Sequence, residues 1–383
     1  MHHTPRFALA LGLVLATTPA LARGTPSDSL SADVDAVIRR QMKEQHIPGI
    51  SLAVVRNGRI VKATAYGLAN LEVRAPVTPE TVFEAGSITK QFAATAIVLL
   101  ADQGKISLDD NITKYFPEAP PSIKAVTVRH LLTHTSGIPD VDGSLDPTRV
   151  ANAIVDLHRE YTEDELARAY LAQPLDFEPG SKWSYCNVGY ELLGYLIHRV
   201  TGRYYVDFLR ERIFAPLGMN TTRVRSYAEI ISNRASGYDL INGAWKNTPR
   251  WQSESILSGA SGGLLTNVLD LAKWDAAMNT ERILKRSSLE AMWTPLPLDD
   301  GSAYPDGIGW FIANAKGHRI VFHTGGGPGF SAAISRYLDD RLTFIVMSNI
   351  GEGEAHADVI KIIGEIAGLY LPDTRGANPI KDW

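Results

Sequence analysis

The sequence predicts an α+β fold: an antiparallel sheet flanked by terminal helices, with an all-helical domain inserted into it. Three observations predict this. Strand signals cluster near the two ends of the chain. The stretch between them has mostly helical spacing. Amphipathic helical patterns open and close the whole. A length of 383 residues fits two structural units better than one or three.

The elements follow in order. Residues 30–45 place Leu30, Val34, Val37 and Ile38 on one stripe, with Ser31 as a cap and Pro48-Gly49 as the stop. Residues 50–55 are rich in β-branched side chains. Asn57-Gly58 is a hairpin signal, and residues 59–66 form the returning strand. Residues 91–101 read as a strongly apolar helix. Further helices are expected at Val128–Leu132, Glu163–Leu171, 190–200, 206–214, Val268–Met278 and 288–293. The turn-rich stretch 294–307 reads as a crossing back. Strand signals return at 307–312, 319–323, Phe330–Tyr337 and 342–349, with Asp339-Asp340 as a turn. Residues 355–369 close the chain as a helix, with Val359, Ile362, Ile363 and Ile366 on one face. The expected division is therefore a discontinuous α/β domain, residues 23–83 and 300–383, and an inserted helical domain, residues 84–299. A site at the seam is the default expectation.

The first 22 residues read as a signal peptide. Arg6 supplies the charge, residues 7–16 the apolar run, and Ala20-Leu21-Ala22 the cleavage site, so the mature chain is expected to begin at Arg23. That apolar run falls short of a membrane span, and no later segment reaches that length. The expected location is the periplasm or the exterior. One cysteine, Cys186, leaves no intrachain disulfide, and none follows the signal to carry a lipid anchor. Lysine plus arginine is 38 against 42 aspartate plus glutamate, with no basic run, so a nucleic-acid partner is not indicated.

Three short motifs carry the chemistry. Ser87-Ile88-Thr89-Lys90 has the form S-x-x-K, Tyr185-Cys186-Asn187 the form Y-x-N, and His323-Thr324-Gly325 the form K/H-T-G. S-x-x-K alone is weak evidence. Yet no other serine in the chain has a lysine three residues on, and the other two patterns also occur once each. Ser87 is expected at a helix start, with Lys90 one turn later on the same face. Backbone N–H groups at a helix start are unpaired and can hold a developing oxyanion. A lysine charge favours an anionic neighbour, so Tyr185 is the expected acceptor of the serine proton. Gly325 and Gly326 let a substrate backbone approach the strand edge, and the Gly326 N–H is the second candidate oxyanion donor. Each residue also has a plainer reading: a solvated lysine, a core aromatic, a capping asparagine, a strand-end histidine.

With these motifs the chain resembles the serine β-lactamase and D,D-peptidase superfamily, in the branch of class C β-lactamases, D,D-carboxypeptidases, D-aminopeptidases and esterases. Residues 128–139 (VRHLLTHTSGIP), 177–194 (FEPGSKWSYCNVGYELLG), 216–219 (PLGM) and 261–264 (SGGL) resemble it too. The resemblance implies a β-lactamase/transpeptidase-like fold. It implies acylation of Ser87, proton transfer shared by Lys90 and Tyr185, substrate-amide orientation by Asn187, and carboxylate binding near His323 and Thr324. The expected partner is a small-molecule or peptide substrate, with no cofactor or metal. Class C enzymes usually carry lysine where this chain has His323, and a histidine is only partly charged near neutral pH. That departure points first to a D-stereospecific peptidase or esterase, with a class C-like β-lactamase and a non-turning penicillin-binding sensor as alternatives.

Two decoys are set aside. Gly259-Ala260-Ser261-Gly262-Gly263 matches the nucleophile elbow G-x-S-x-G, but no convincing strand precedes it and no βαβ alternation surrounds it. His130 and His134 stand four apart, but Leu131 occupies the place of the glutamate in H-E-x-x-H. Cys186 reads as buried filler.

Overall fold

The computed structural model describes residues 28–140, 156, 158–248, 252–351 and 357–377. The expected signal peptide, residues 1–22, lies outside the described residues. The strands are β1 Gly49–Arg56, β2 Arg59–Asn70, β3 Ala75–Pro76, β4 Phe83–Glu84, β5 Arg223–Val224, β6 Tyr238–Ile241, β7 Ala244–Asn247, β8 Leu264–Thr266, β9 Phe311–Ala315, β10 His318–Gly327, β11 Phe330–Tyr337 and β12 Leu342–Ser348. The helices that matter here are α1 Asp28–Glu44, α2 Thr89–Asp102, α3 Val128–Leu132, α4 Glu163–Leu171, α5 Asn187–Thr201, α6 Val268–Met278 and α7 Val359–Tyr370.

Seven strands form one sheet in the order β3-β2-β1-β12-β11-β10-β9, with antiparallel neighbours throughout. The first long strand pairs with the last, Ile50 opposite Ser348. Both faces of the sheet are covered, which is why β1 reads as a continuous apolar run rather than an alternating one. Alternate side chains still part company. Ile50, Leu52, Val54, Phe344 and Val346 face a core completed by Val34 and Ile38 of α1 and Ile362, Ile363 and Ile366 of α7. Ala53, Val55, Ile345 and Met347 face the larger core shared with α2 and α6. Each fully buried isoleucine or leucine contributes about 1.5–3 kcal/mol to that packing.

Several elements differ from the sequence expectation. The helix expected from residue 30 begins at Asp28, and Ser31 does not cap it. Its hydroxyl accepts from Lys62 Nζ at 2.6 Å. β10 runs on through Gly325, Gly326 and Gly327 instead of stopping at 323, because β11 pairs with it as far as Phe330. The strand expected at 307–312 begins at Phe311. Before it the backbone turns at Gly309 (φ +74°) to clear Lys90 and Ala94. The middle of the chain is mostly helical but also holds short strands. β4, β8 and β5 form a three-stranded sheet, and β6 with β7 a hairpin. Pieces of two to four residues leave no period to read.

Candidate active site

Ser87 sits in a single 3-10 turn, Gly86–Ile88, that runs directly into α2. The turn packs on β10, and glycines allow it. Gly86 has φ +51°, and a Cβ there would lie 2.7 Å from Gly326 O. A Cβ on Gly325 would lie 1.9 Å from Ala85 O, so these two backbones touch without side chains between them. β9 pairs with β10 only as far as Phe322. Beyond it His323 to Gly327 present an edge on that side which β9 does not cover, and Gly326 is exposed.

Lys90 lies one turn into the helix and is fully buried. Its Nζ donates to Ser87 Oγ at 3.0 Å, Asn187 Oδ1 at 2.6 Å and Ser261 O at 2.8 Å. Three acceptors match the three protons of an ammonium and offset the cost of burying it. The same Nζ stands 4.8 Å from the centre of the Tyr185 ring.

Tyr185 and Asn187 reach this point from the segment that enters α5. The Tyr185 ring stacks on His134 at 4.4 Å between centroids. His134 Nδ1 accepts the Cys186 N–H at 3.0 Å, and burial pushes its pKa well below the usual range. Cys186 caps α5: its sulfur accepts from Gly189 N–H and donates to Ile138 O, both at 3.3 Å. His130 closes a capping box with Thr127 at the start of α3. Asn187 is the first residue of α5, which begins three residues before the expected 190. Asp140 accepts from Asn187 N at 3.0 Å, Asn187 Nδ2 at 3.1 Å and Val188 N at 3.3 Å. That carboxylate holds Nδ2, and Oδ1 is turned to Lys90.

The G-x-S-x-G stretch joins the same network through its backbone. Glu191, buried within α5, accepts from Ala260 N at 3.0 Å and Ser261 N at 3.1 Å. Burial raises its carboxyl pKa, opposed by the Ser261 hydroxyl and amide and by the charge of Lys90. A Cβ on Gly259 would fall 2.0 Å from Glu191 Oε2, which accounts for the glycine. So held, the loop turns the Ser261 carbonyl toward Lys90.

His323, expected from its residue type to be only partly charged near neutral pH, lies on the same edge. It is buried, and its Nδ1–H donates to Thr324 O at 2.6 Å. Burial and the nearby Lys90 charge lower its pKa to about 3, so the ring is neutral at physiological pH. Phe311 lies 4.9 Å from it, ring to ring. Nearby, buried Asp306 accepts from Trp183 Nε1 at 2.8 Å, and burial pushes its carboxyl up to about 8. Among the described residues no group of three or more histidines, cysteines, aspartates and glutamates is arranged to hold a metal ion.

The structure thus brings Ser87, Lys90, Tyr185, Asn187, His323, Thr324, Gly325 and Gly326 to one place. Sequence reasoning missed Asp140 and Glu191. Glu191 left a faint signal, a lone charge inside the apolar run 188–197, and Asp140 left none.

A profile of the β-lactamase family matches residues 34–367. The chain belongs to the β-lactamase family. Relatives within it include penicillin-binding protein 4* of Bacillus subtilis strain 168. That protein is 33% identical over 331 residues, covering 83% of this chain and 71% of the relative. Protein flp of Staphylococcus aureus strain MW2 is 27% identical over 83% of this chain, which spans 62% of that protein's length. The family's solved structures include an octameric penicillin-binding protein homologue from Pyrococcus abyssi, with TM-score 0.74 and 30% identity. The match covers 92% of this chain and 79% of that one. D-amino acid amidase of Ochrobactrum anthropi SV3, complexed with L-phenylalanine amide, gives TM-score 0.77 and 26% identity over 90% and 99% of the two chains. The fold is therefore β-lactamase/transpeptidase-like, and membership makes this chain a serine hydrolase of the penicillin-recognising superfamily.

Proposed function

We propose that this chain hydrolyses amide or ester bonds through an acyl-enzyme on Ser87, as an exported D-stereospecific peptidase, amidase or esterase. The observation that carries the reading is Lys90 Nζ, which joins Ser87 Oγ, Asn187 Oδ1 and the Ser261 carbonyl in one buried network beneath Tyr185. With Lys90 donating to it, Ser87 Oγ keeps a proton to lose, and Tyr185 is the neighbour that takes it. The oxygen attacks the substrate carbonyl, and the negative charge that develops is held by the N–H groups of Ser87 and Gly326. The proton passes to the departing amine or alcohol. Water then attacks the ester on Ser87 by the reverse path and frees the acid. The likeness to D-amino acid amidase supports a D-configured acyl group. Neutral His323 weighs against efficient β-lactam hydrolysis, since no charge at that position would meet the antibiotic carboxylate.

Intact-protein mass spectrometry after a fluorophosphonate probe tests the reading. One adduct is expected on the parent protein and none on Ser87→Ala. An undiminished adduct on that variant, or label mapped to Ser261, would overturn it. Rapid loss of a penicillin-derived adduct would separate an enzyme from a non-turning sensor. Export rests on Arg6, residues 7–16 and Ala20-Leu21-Ala22. Among the described residues no helix is long and apolar enough to cross a membrane. A mature protein beginning at Arg23 would support export, and an intact N-terminus in the cell pellet would refute it.

A further inference from the structure

We propose that the aromatic wall formed by Phe311, Trp183 and Tyr304 beside Tyr185 is the leaving-group subsite, and that the group it takes is an aromatic alcohol or amine. This rests on the reading of Ser87 as nucleophile and Tyr185 as its proton acceptor, and names the substrate class on the departing side of the bond.

The direction of the substrate along the open edge follows from the proton. Tyr185 hands it to the departing atom, so the leaving group lies against that ring. The Tyr185 ring stands 6.4 Å from the ring of His323, at the end of the edge where β9 stops pairing. With the carbonyl held at Gly326, the leaving group points toward His323 and the acyl group away from it.

Aromatic rings wall that end. Phe311, at the start of β9, lies 6.2 Å from Tyr185 and 4.9 Å from His323, ring to ring. Trp183 lies 6.4 Å from Tyr185 and stacks on Tyr304 at 3.9 Å, with the planes 12° apart. Tyr304 is 40% exposed, and Trp183, Tyr185 and Phe311 are each partly exposed. One buried residue, Asp306, sets the three outer rings. Its carboxyl accepts from Trp183 Nε1 at 2.8 Å, its N–H donates to Tyr304 O at 2.7 Å, and its backbone pairs with Phe311. Scattered exposed aromatics are ordinary. Neighbouring rings fixed by a buried residue beside the nucleophile are instead a preorganised apolar surface.

The groups that meet these rings add little charge. His134 and His323 are neutral because burial lowers both. Asp306 is largely protonated at pH 7, below the value of about 8 to which burial pushes it. Lys90 also meets the Tyr185 ring, but it is fully buried and bonded to three acceptors. The wall therefore offers apolar area and ring faces rather than charge. Stacked or edge-to-face contact then favours an aromatic ring over an aliphatic one of the same size.

The experiment compares methyl, benzyl and cyclohexylmethyl acetates, whose alcohols differ little in acidity. All three pass through one acetyl-enzyme, so a leaving-group preference is read in kcat/KM, which reports acylation. The parent enzyme should favour benzyl over methyl by about 10–100-fold, and over cyclohexylmethyl by about three- to tenfold. Trp183→Ala should lower the benzyl-to-methyl ratio about tenfold, and Trp183→Phe should retain most of it. Asp306→Ala should lower the ratio too, while Asp306→Asn, which keeps an acceptor for Trp183, should hold it. A parent ratio near one, a ratio unchanged in Trp183→Ala, or benzyl no better than cyclohexylmethyl would overturn the proposal. Should the variants not fold, or acetates turn over too slowly, the unaltered enzyme decides. Benzyl alcohol should slow fluorophosphonate labelling of Ser87 more than cyclohexylmethanol does, and equal or absent protection refutes the subsite. Failure of the nucleophile reading is separately visible, as benzyl acetate hydrolysis that survives in Ser87→Ala.

Discussion

Lys90 holds its position at a cost that the network has to offset. A buried ammonium is tolerable only while its acceptors stay in place. Lys90→Ala and Tyr185→Phe should each lower kcat by roughly 10²–10⁴, the size of a lost acid–base group. The double variant should lose far less than the product of the two, since they act as one unit. Full multiplication in single-turnover kinetics would show independent roles. His323 gives a second test. With a folded pKa of about 3 against an ordinary 6.5, the ring takes up a proton far more readily when unfolded. Its contribution to stability is complete above 6.5 and is lost as pH falls from there toward 3. Catalysis should not register it. Profiles of kcat/KM for an acidic and a neutral ester should run parallel between about pH 5 and 8, and a relative loss of the acidic substrate as pH rises would show that His323 is cationic in the complex. Ser87, Lys90 and Asn187 were legible because their own side chains meet at the site. Ser261 was legible only as a decoy, because it serves through its carbonyl, and no side-chain pattern reports where a carbonyl points.

Two elements aim the chemistry: the turn before α2 and the start of α5. The turn rests backbone to backbone on β10, so Gly325→Ala should displace it and abolish Ser87 labelling, with a lowered Tm. Gly104 also has positive φ, but nothing lies within 4 Å of its Cβ position, so Gly104→Ala should keep labelling. Equal labelling in both variants would mean the contact is dispensable. At α5, Asp140→Ala should release the Asn187 amide and lower kcat/KM roughly 10–100-fold by misplacement alone, with little change in Tm. An unchanged rate would remove Asp140 from the positioning network. The long apolar elements were readable from periodicity, whereas β4, β5 and β8 were not. Each is two or three residues held by partners far away in the chain, such as Phe83 opposite Thr266.

Across the whole molecule, one buried ion pair ties the sheet to α6. Arg336 Nε on β11 and Thr343 Oγ1 on β12 both donate to Asp275 Oδ1, at 2.7 and 2.6 Å. The Arg336 guanidinium lies 4.9 Å from the Trp293 ring. Removing one partner strands the other charge, so Asp275→Ala should cost about 3–5 kcal/mol, read as a lower denaturation midpoint. A shift below about 1 kcal/mol would place the pair among surface-like bridges. The pairing of β1 with β12 has a different consequence, one of time. Ile50 meets Ser348, 298 positions later (348 − 50). At about 5–20 residues per second, the partner of β1 leaves the ribosome roughly 15–60 s after β1 itself. The β1–β2 hairpin can close at once, but its other edge stays open through that interval as a template for foreign strands. Residues 49–56 therefore carry one unpaired strand edge for as long as synthesis of the last strands takes.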